Sequence, residues 1–312
     1  MNRRDFLEKS ATAIIATQVG ALGLMSSCSK ADGKETPQSG SEVTPRSGGL
    51  KVRFLGTGAA DWTSAPYKGE HRNFSSVLID DQILIDYTSM AKSMLPAGCS
   101  PKVIFYTHSH ADHFVPKDAL DLGIVTVYVG MTWYATAKKR FEEAVRTGNY
   151  KMPTIIGVNT LSPQVVGGIT FTPLPANHGT SIQGEQALIY LMEKGDARVL
   201  YATDTGGIMA VGAQYAGFDN HVSNKKALTG LIMEATMGID YDEDFRIFTH
   251  SSVGTVLRTA HVLQKTGLYK PKNNEPVYLT HMARTLHAPQ SELVNTIPSP
   301  LYPAYDGLEV EY

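Results

Sequence analysis

Thr107 to His113 reads THSHADH, which sets His108, His110, Asp112 and His113 on one short stretch of chain. Two imidazoles one residue apart, followed at once by a carboxylate and a third imidazole, bring four donor side chains to a single tight loop. One histidine alone is ordinarily a surface or core residue, but this spacing is that of a metal site, and imidazole with carboxylate suits zinc, manganese or iron. Further donors follow downstream, each just past an apolar run: His178 in LPANHG, Asp204 in YATDTGG and His281 in VYLTHMARTLH. A set of this size suits two divalent ions about 3.5–4 Å apart, with zinc expected first and manganese or iron as alternatives. Such a pair acidifies a water into a nucleophile near neutral pH and neutralises charge that develops on substrate oxygens.

The elements that must hold these residues are readable from apolar periodicity. A strand is expected from about Leu50, where KVRFLGTGAAD runs into a Gly-rich turn, and SSVLIDDQILIDY over Ser75 to Tyr87 has the form of a hairpin. Val103 to Tyr106 is a short apolar strand directly before the histidine cluster, and Pro116 to Leu122 starts a helix after it. Met131 to Gly148 has helical spacing. Ile169 to Leu174, Ala187 to Met192 and Arg198 to Ala202 read as strands, the last two joined by a turn at Gly195 and Asp196. Ser251 or Ser252 caps a helix striped by Val253, Val256, Leu257, Ala260 and Leu263 and closed by Gly267, after which Val277 to Thr280 is again a strand. Strand, ligand loop and helix alternate in two similar halves, so the expected architecture is α/β, an αββα sandwich of two mixed β-sheets flanked by helices.

Composition limits the partners. The chain has 312 residues, 42% of them apolar, and a formal net charge of −2, which excludes a broad cationic face as the main source of affinity and makes nucleic acid an unexpected partner. Residues 1–28 read as an export signal: NRRDFL resembles a twin-arginine motif and LMSSC a lipobox, with lipidation expected at Cys28. Residues 29–49, polar and rich in Gly, Ser and Pro, read as a flexible linker, and 50–312 as the catalytic domain. The expected location is therefore periplasmic or membrane-anchored, with the membrane met only through the lipid. With Cys28 modified, Cys99 is the one remaining thiol, and no intramolecular disulfide is possible.

The order HxHxDH, His, Asp, His over about residues 50–312 resembles the metallo-β-lactamase superfamily. The resemblance implies that His108, His110 and His178 hold one metal, that Asp112, His113 and His281 hold the other, and that Asp204 bridges them. Within the superfamily, FLGTGAAD, DTGG, EAT at Glu234, HSS at His250 and LTHM at His281 resemble the phosphodiesterase branch that includes RNase Z. There a histidine in an HS-type motif donates a proton, which implies that role for His250, with Glu234 orienting it. Asp112 would orient the attacking water or accept its proton, and Arg284, Ser251 and His71 are the expected substrate contacts. The chain departs from RNase Z in having MARTLH after the last ligand and in lacking a long Gly-rich basic arm. A small phosphodiester is the expected substrate, and a homodimer is compatible with the sequence. The alternatives are lactone, β-lactam or thioester hydrolysis on the same metals, and a non-catalytic surface binding module.

Overall fold

The structure is a computed structural model that describes residues 43–63, 65–218 and 226–312. The expected export signal and Cys28 lie outside the described residues. Seven strands make each of two sheets. β1 (Lys51–Gly56), β2 (Ser76–Ile79), β3 (Ile83–Ile85), β4 (Val103–Phe105), β5 (Thr126–Gly130) and β6 (Thr154–Val158) build the first. β7 (Gln164–Val166), β8 (Ile169–Pro175), β9 (Leu188–Lys194), β10 (Ala197–Ala202), β11 (Gly230–Glu234), β12 (Val277–Thr280) and β13 (Leu301–Pro303) build the second. β14 (Glu309–Glu311) returns to the first sheet beside β1.

The two sheets repeat one plan. In the first, β14, β1, β2 and β3 pair antiparallel, and β3 to β6 pair parallel. In the second, β7 to β10 pair antiparallel, and β10 to β13 pair parallel. Parallel strands need long crossovers, and these carry α1 (Pro116–Leu122) and α2 (Tyr134–Gly148) over the first sheet. α3 (Ala210–Tyr215), α4 (Val253–Lys265) and α5 (Gln290–Thr296) serve the second sheet. This is the αββα sandwich that the strand and helix pattern implies.

Alternation along each strand sorts side chains between layers. Val77 and Ile79 of β2 and Val199 and Tyr201 of β10 enter the core between the sheets. Leu78 turns outward to the helices of the first sheet, and Leu200 and Ala202 to those of the second. Both faces are therefore dry, which is why these strands read as continuous apolar runs. Between the sheets, Phe105 stacks on Tyr128 at 4.2 Å and on Phe171 at 4.5 Å, and meets Tyr190 edge-on at 5.6 Å. It joins β4, which leads into the histidine cluster, to β8 and β9 of the opposite sheet.

The packed unit begins before Leu50. Val43 is buried in the inter-sheet core, Thr44 N donates to Gln82, and Arg46 pairs with Asp81 at 2.7 Å. The last residues of the expected linker thus lie against the folded unit, because the hairpin turn at Asp81 and Gln82 offers them partners.

Phe105→Ala removes contacts to three aromatic rings on two sheets, so unfolding free energy is expected to fall by about 3–5 kcal/mol. A urea midpoint unchanged from the parent would contradict this account of how the sheets are joined.

Candidate metal centre

The donors collect at the carboxyl ends of the parallel strands, where open sheets leave room for ligands. Asp86 follows β3, His108 and His110 follow β4, Asp204 follows β10, Glu234 ends β11, and His281 follows β12. His178 follows β8, and His250 sits in the crossover from β11 to α4. Asp86, Asp204 and His281 have positive φ (56°, 47° and 51°). Each such non-glycine residue costs on the order of 1 kcal/mol, and the strain turns these side chains out of the strand direction into the site.

The structure brings all seven expected ligands together. His108, His110 and His178 form one group with ligand atoms within 4.8 Å of one another, and Asp112, His113 and His281 form a second. His108 Nε2 is 3.0 Å from His110 Nδ1, which is 3.3 Å from His178 Nε2. In the second group His113 Nε2 is 3.1 Å from Asp112 Oδ2, and His281 Nε2 is 3.4 Å from the same oxygen. Asp204 spans both, with Oδ1 3.8 Å from His178 Nε2 and Oδ2 3.1 Å from His113 Nε2 and 3.3 Å from His281 Nε2. Ligands at about 2.1 Å from one tetrahedral ion stand about 3.4 Å apart, so these separations fit shared coordination.

The far ring nitrogens are occupied, which fixes the tautomers. His108 Nδ1 donates to Thr107 Oγ1 at 2.9 Å, and that hydroxyl donates to Asp86 Oδ2 at 2.7 Å. His113 Nδ1 donates to Asp86 Oδ2 at 2.8 Å, and His178 Nδ1 to Thr249 O at 3.2 Å. His281 Nδ1 donates to Thr236 Oγ1 at 2.8 Å, while that hydroxyl bonds Glu234. The Nε2 atoms of these four rings face inward, that of His113 buried between the Asp112 and Asp204 oxygens at 3.1 Å each. A cation is the partner this donor set fits, so the residues present suit the divalent metals expected.

Charge distribution agrees. Burial pushes His108 well below the ordinary imidazole value and lowers His110 and His178, which favours neutral, ligating rings. Burial also works against a charge on His113, but Asp112, Asp204 and Asp86 together raise it well above that value. Against the opposing effect of burial, neighbouring His113 holds Asp112 far below the carboxylate range. Without metal, protons take the place of the cations these carboxylates demand, so acid and metal compete for the site.

His250 stands beside both groups, its ring 4.8 Å from that of His178 and 5.7 Å from that of His281. Its Nδ1 lies 3.1 Å from Oε2 of the fully buried Glu234, which also accepts from Thr205 N. Burial opposes the imidazolium, yet Glu234 raises it to about 9. Of the expected substrate contacts, Ser251 is buried with its hydroxyl committed to Thr205 O at 2.8 Å, a bond that ties the His250 segment to the Asp204 loop. His71 is exposed and lines a recess with Glu70, Arg72, Gln290, Tyr305 and Asp306, none of them a metal-facing residue. Arg284 crosses the Tyr67 ring at 5.2 Å, and its Nε is buried without a partner.

Asp86, Thr107 and Thr236 escaped the sequence reading, and so did Glu185. Ser109, between two metal-facing histidines, donates N and Oγ to the two Glu185 oxygens at 2.8 and 2.6 Å. Glu185 therefore fastens the THSHADH loop to the loop that carries His178. Outer contacts of this kind change metal affinity by about 10- to 100-fold, so Glu185→Ala is expected to release metal to a chelator at concentrations lower by that factor. An unchanged chelator midpoint in the folded variant would refute that role.

Residues 87–282 match the family described as Beta-lactamase superfamily domain. Among solved structures, the metallo-beta-lactamase fold protein YhfI from Bacillus subtilis is similar at TM-score 0.57 and 18% identity, over 85% of this chain and 100% of that one. Human tRNase Z, short form, gives TM-score 0.58 at 15% identity, covering 84% of this chain and 98% of that one. The Zn(2+)-bound PqqB from Methylobacterium extorquens gives 0.58 at 14% identity, covering 84% and 100%. Likeness at these identities concerns the fold alone. No curated protein matches the chain in sequence.

Proposed function

This chain belongs to the metallo-β-lactamase superfamily, and from that premise we propose that it is a dinuclear metal-dependent hydrolase of small phosphodiesters. The observation that carries the reading is the His250–Glu234 pair beside the metal-facing rings. A phosphodiester with an alkoxide leaving group needs a proton donor, and a buried carboxylate that keeps an imidazole charged supplies one. The histidinium favours an anionic substrate. A neutral lactone gains nothing from that charge.

His108, His110 and His178 would hold one ion, Asp112, His113 and His281 the other, and Asp204 would touch both. When bound, divalent ions such as zinc acidify water and neutralise charge on phosphoryl oxygens. The chain's own groups then act as follows. Asp112 orients the attacking water and takes its proton as the new O–P bond forms. His250 Nε2 delivers a proton to the departing oxygen as the old P–O bond breaks, giving a phosphomonoester and an alcohol. Glu234 holds the ring in place, and the hydroxyl of Thr236 serves Glu234 and His281 together. Export and lipid attachment at Cys28 are part of the same proposal and place the substrate outside the cytoplasm.

Protein of measured metal content is to be assayed on bis(p-nitrophenyl) phosphate, a dialkyl phosphate and a lactone. Turnover of the lactone alone would overturn the phosphodiesterase reading. His110→Ala is expected to abolish metal loading and turnover together, read by elemental analysis and initial rates. His250→Ala should keep its metal yet lose about 10²- to 10⁴-fold on the alkyl diester, and far less on p-nitrophenyl esters, whose leaving group needs no proton. Because Glu234 raises His250 to about 9, the donor is charged below that pH and is lost above it. The alkyl-ester rate of the parent should therefore fall on an alkaline limb that His250→Ala lacks, and metal charge nearby draws the limb to lower pH. The same limb in both proteins would remove His250 from the reaction.

A further inference from the structure

We propose that Phe245 and Phe248 form a subsite for an aromatic or similarly flat apolar ester arm of the substrate, an inference that rests on the phosphodiesterase reading. The two rings lie on a turn, Phe245–Phe248, whose N-cap Asp244 accepts from Arg246 N. They are 79% and 73% exposed, the highest values among the large apolar side chains of the described residues. One exposed apolar side chain is ordinary, but two rings within four residues, on the segment that delivers the proton donor, call for an occupant.

The backbone beneath the rings is firmly held. His250 N and Thr249 N donate to Arg246 O at 2.7 and 2.9 Å. Thr249 O accepts from the metal-facing His178. Gly206, two residues past Asp204, approaches so closely that a Cβ there would lie 2.7 Å from Ile247 O. The turn is thus tied to two of the loops that supply the metal-facing residues, while the Phe248 ring is largely exposed and the Phe245 ring is capped on one face by the Arg246 guanidinium, 5.7 Å from its centroid. Phe248 directly precedes Thr249, whose carbonyl oxygen lies 3.2 Å from His178 Nδ1, so the turn carries this residue at the edge of the metal-facing rings.

Charge selects the occupant. Asp240, Asp242, Glu243 and Asp244 precede the rings. Arg246 is spent on Asp244 through Nε and Nη2, at 2.8 Å each, and Arg258 reaches Asp242 at 3.4 Å. A border whose two arginines are already held by carboxylates offers nothing to an anionic lipid surface or a polyphosphate backbone and is indifferent to a neutral ring. The substrate class is therefore a diester with one negative charge and an aryl or comparable flat arm.

The test is calorimetric titration of the full-length, metal-loaded protein with phenylphosphonate and with methylphosphonate, neither of which has an ester bond to cleave. Phenylphosphonate is expected to bind roughly tenfold more tightly, the scale of one aromatic pairing, and this ratio should collapse toward one in Phe245→Ala/Phe248→Ala. Equal affinities in the parent, or a ratio that survives the double replacement, would overturn the subsite. A ring preference without turnover of any diester would leave the subsite standing and remove the phosphodiesterase reading; turnover without the preference would do the reverse. If the double variant instead loses dimerisation or binding to phosphatidylcholine vesicles, with the ratio unmoved, the rings belong to a second copy or a lipid surface and the proposal fails.

Discussion

Four carboxylates, Asp86, Asp112, Asp204 and Glu234, are buried within one cluster, and the rest of the site is arranged around supplying them with donors or a cation. Taking an isolated carboxylate out of water costs several kcal/mol, so each must find donors or a cation. Two of them are satisfied by the chain itself. Asp86 receives Thr107 N, Thr107 Oγ1 and His113 Nδ1, and Glu234 receives Thr205 N, the Thr236 hydroxyl and His250. Asp112 and Asp204 are not so well served. They share the Nε2 atoms of His113 and His281, and Asp204 adds only the hydroxyl of Thr203. The well-satisfied pair orients imidazoles, and the poorly satisfied pair leaves charge for metal ions.

The repeated topology makes that division available. Each sheet changes from antiparallel to parallel pairing, and in each half the first strand of the parallel set ends in a site carboxylate: Asp86 after β3 and Asp204 after β10. The next strand adds THSHADH in one half and Glu234 in the other, so corresponding strand ends face one another across the dry inter-sheet core. Phe105 fills that core directly beneath the His108 loop, which gives the loop a rigid base.

Much of this was legible in the sequence, for identifiable reasons. The metal-facing residues were readable because His108, His110, Asp112 and His113 lie within six residues and the others follow apolar strands. The β2–β3 and β9–β10 hairpins were readable from their turn residues, and α4 from its stripe, although the cap is Ser252, whose hydroxyl accepts from Thr255 N, and Ser251 bonds elsewhere. β5 was not read, since a five-residue run buried on both sides of a sheet has no periodicity to betray it, and neither was β6, an edge strand in which only Val158 is buried. β13 and β14 are three-residue edge strands, and β13 contains Pro303, which pattern alone assigns to a loop. Asp86 looked like the end of a hairpin because its contacts, to Thr107 and His113, arise only when β3 and β4 pair. Glu185 is 76 residues from Ser109 and carries no local mark of that contact.

Positive φ at Asp86, Asp204 and His281 has a sharper meaning in this setting. Each residue ends a parallel strand and must turn its side chain out of the strand direction toward the same small volume. A standard extended backbone would aim the three side chains along the sheet normals, apart from one another. The strain, on the order of 1 kcal/mol per residue, is held by the flanking strand pairs and by hydrogen bonds that the turned side chains then make. Backbone strain and carboxylate burial are therefore two parts of one arrangement. A cation that satisfies Asp112 and Asp204 offsets both, so metal binding must add to the stability of the folded chain in proportion to its preference for the folded site.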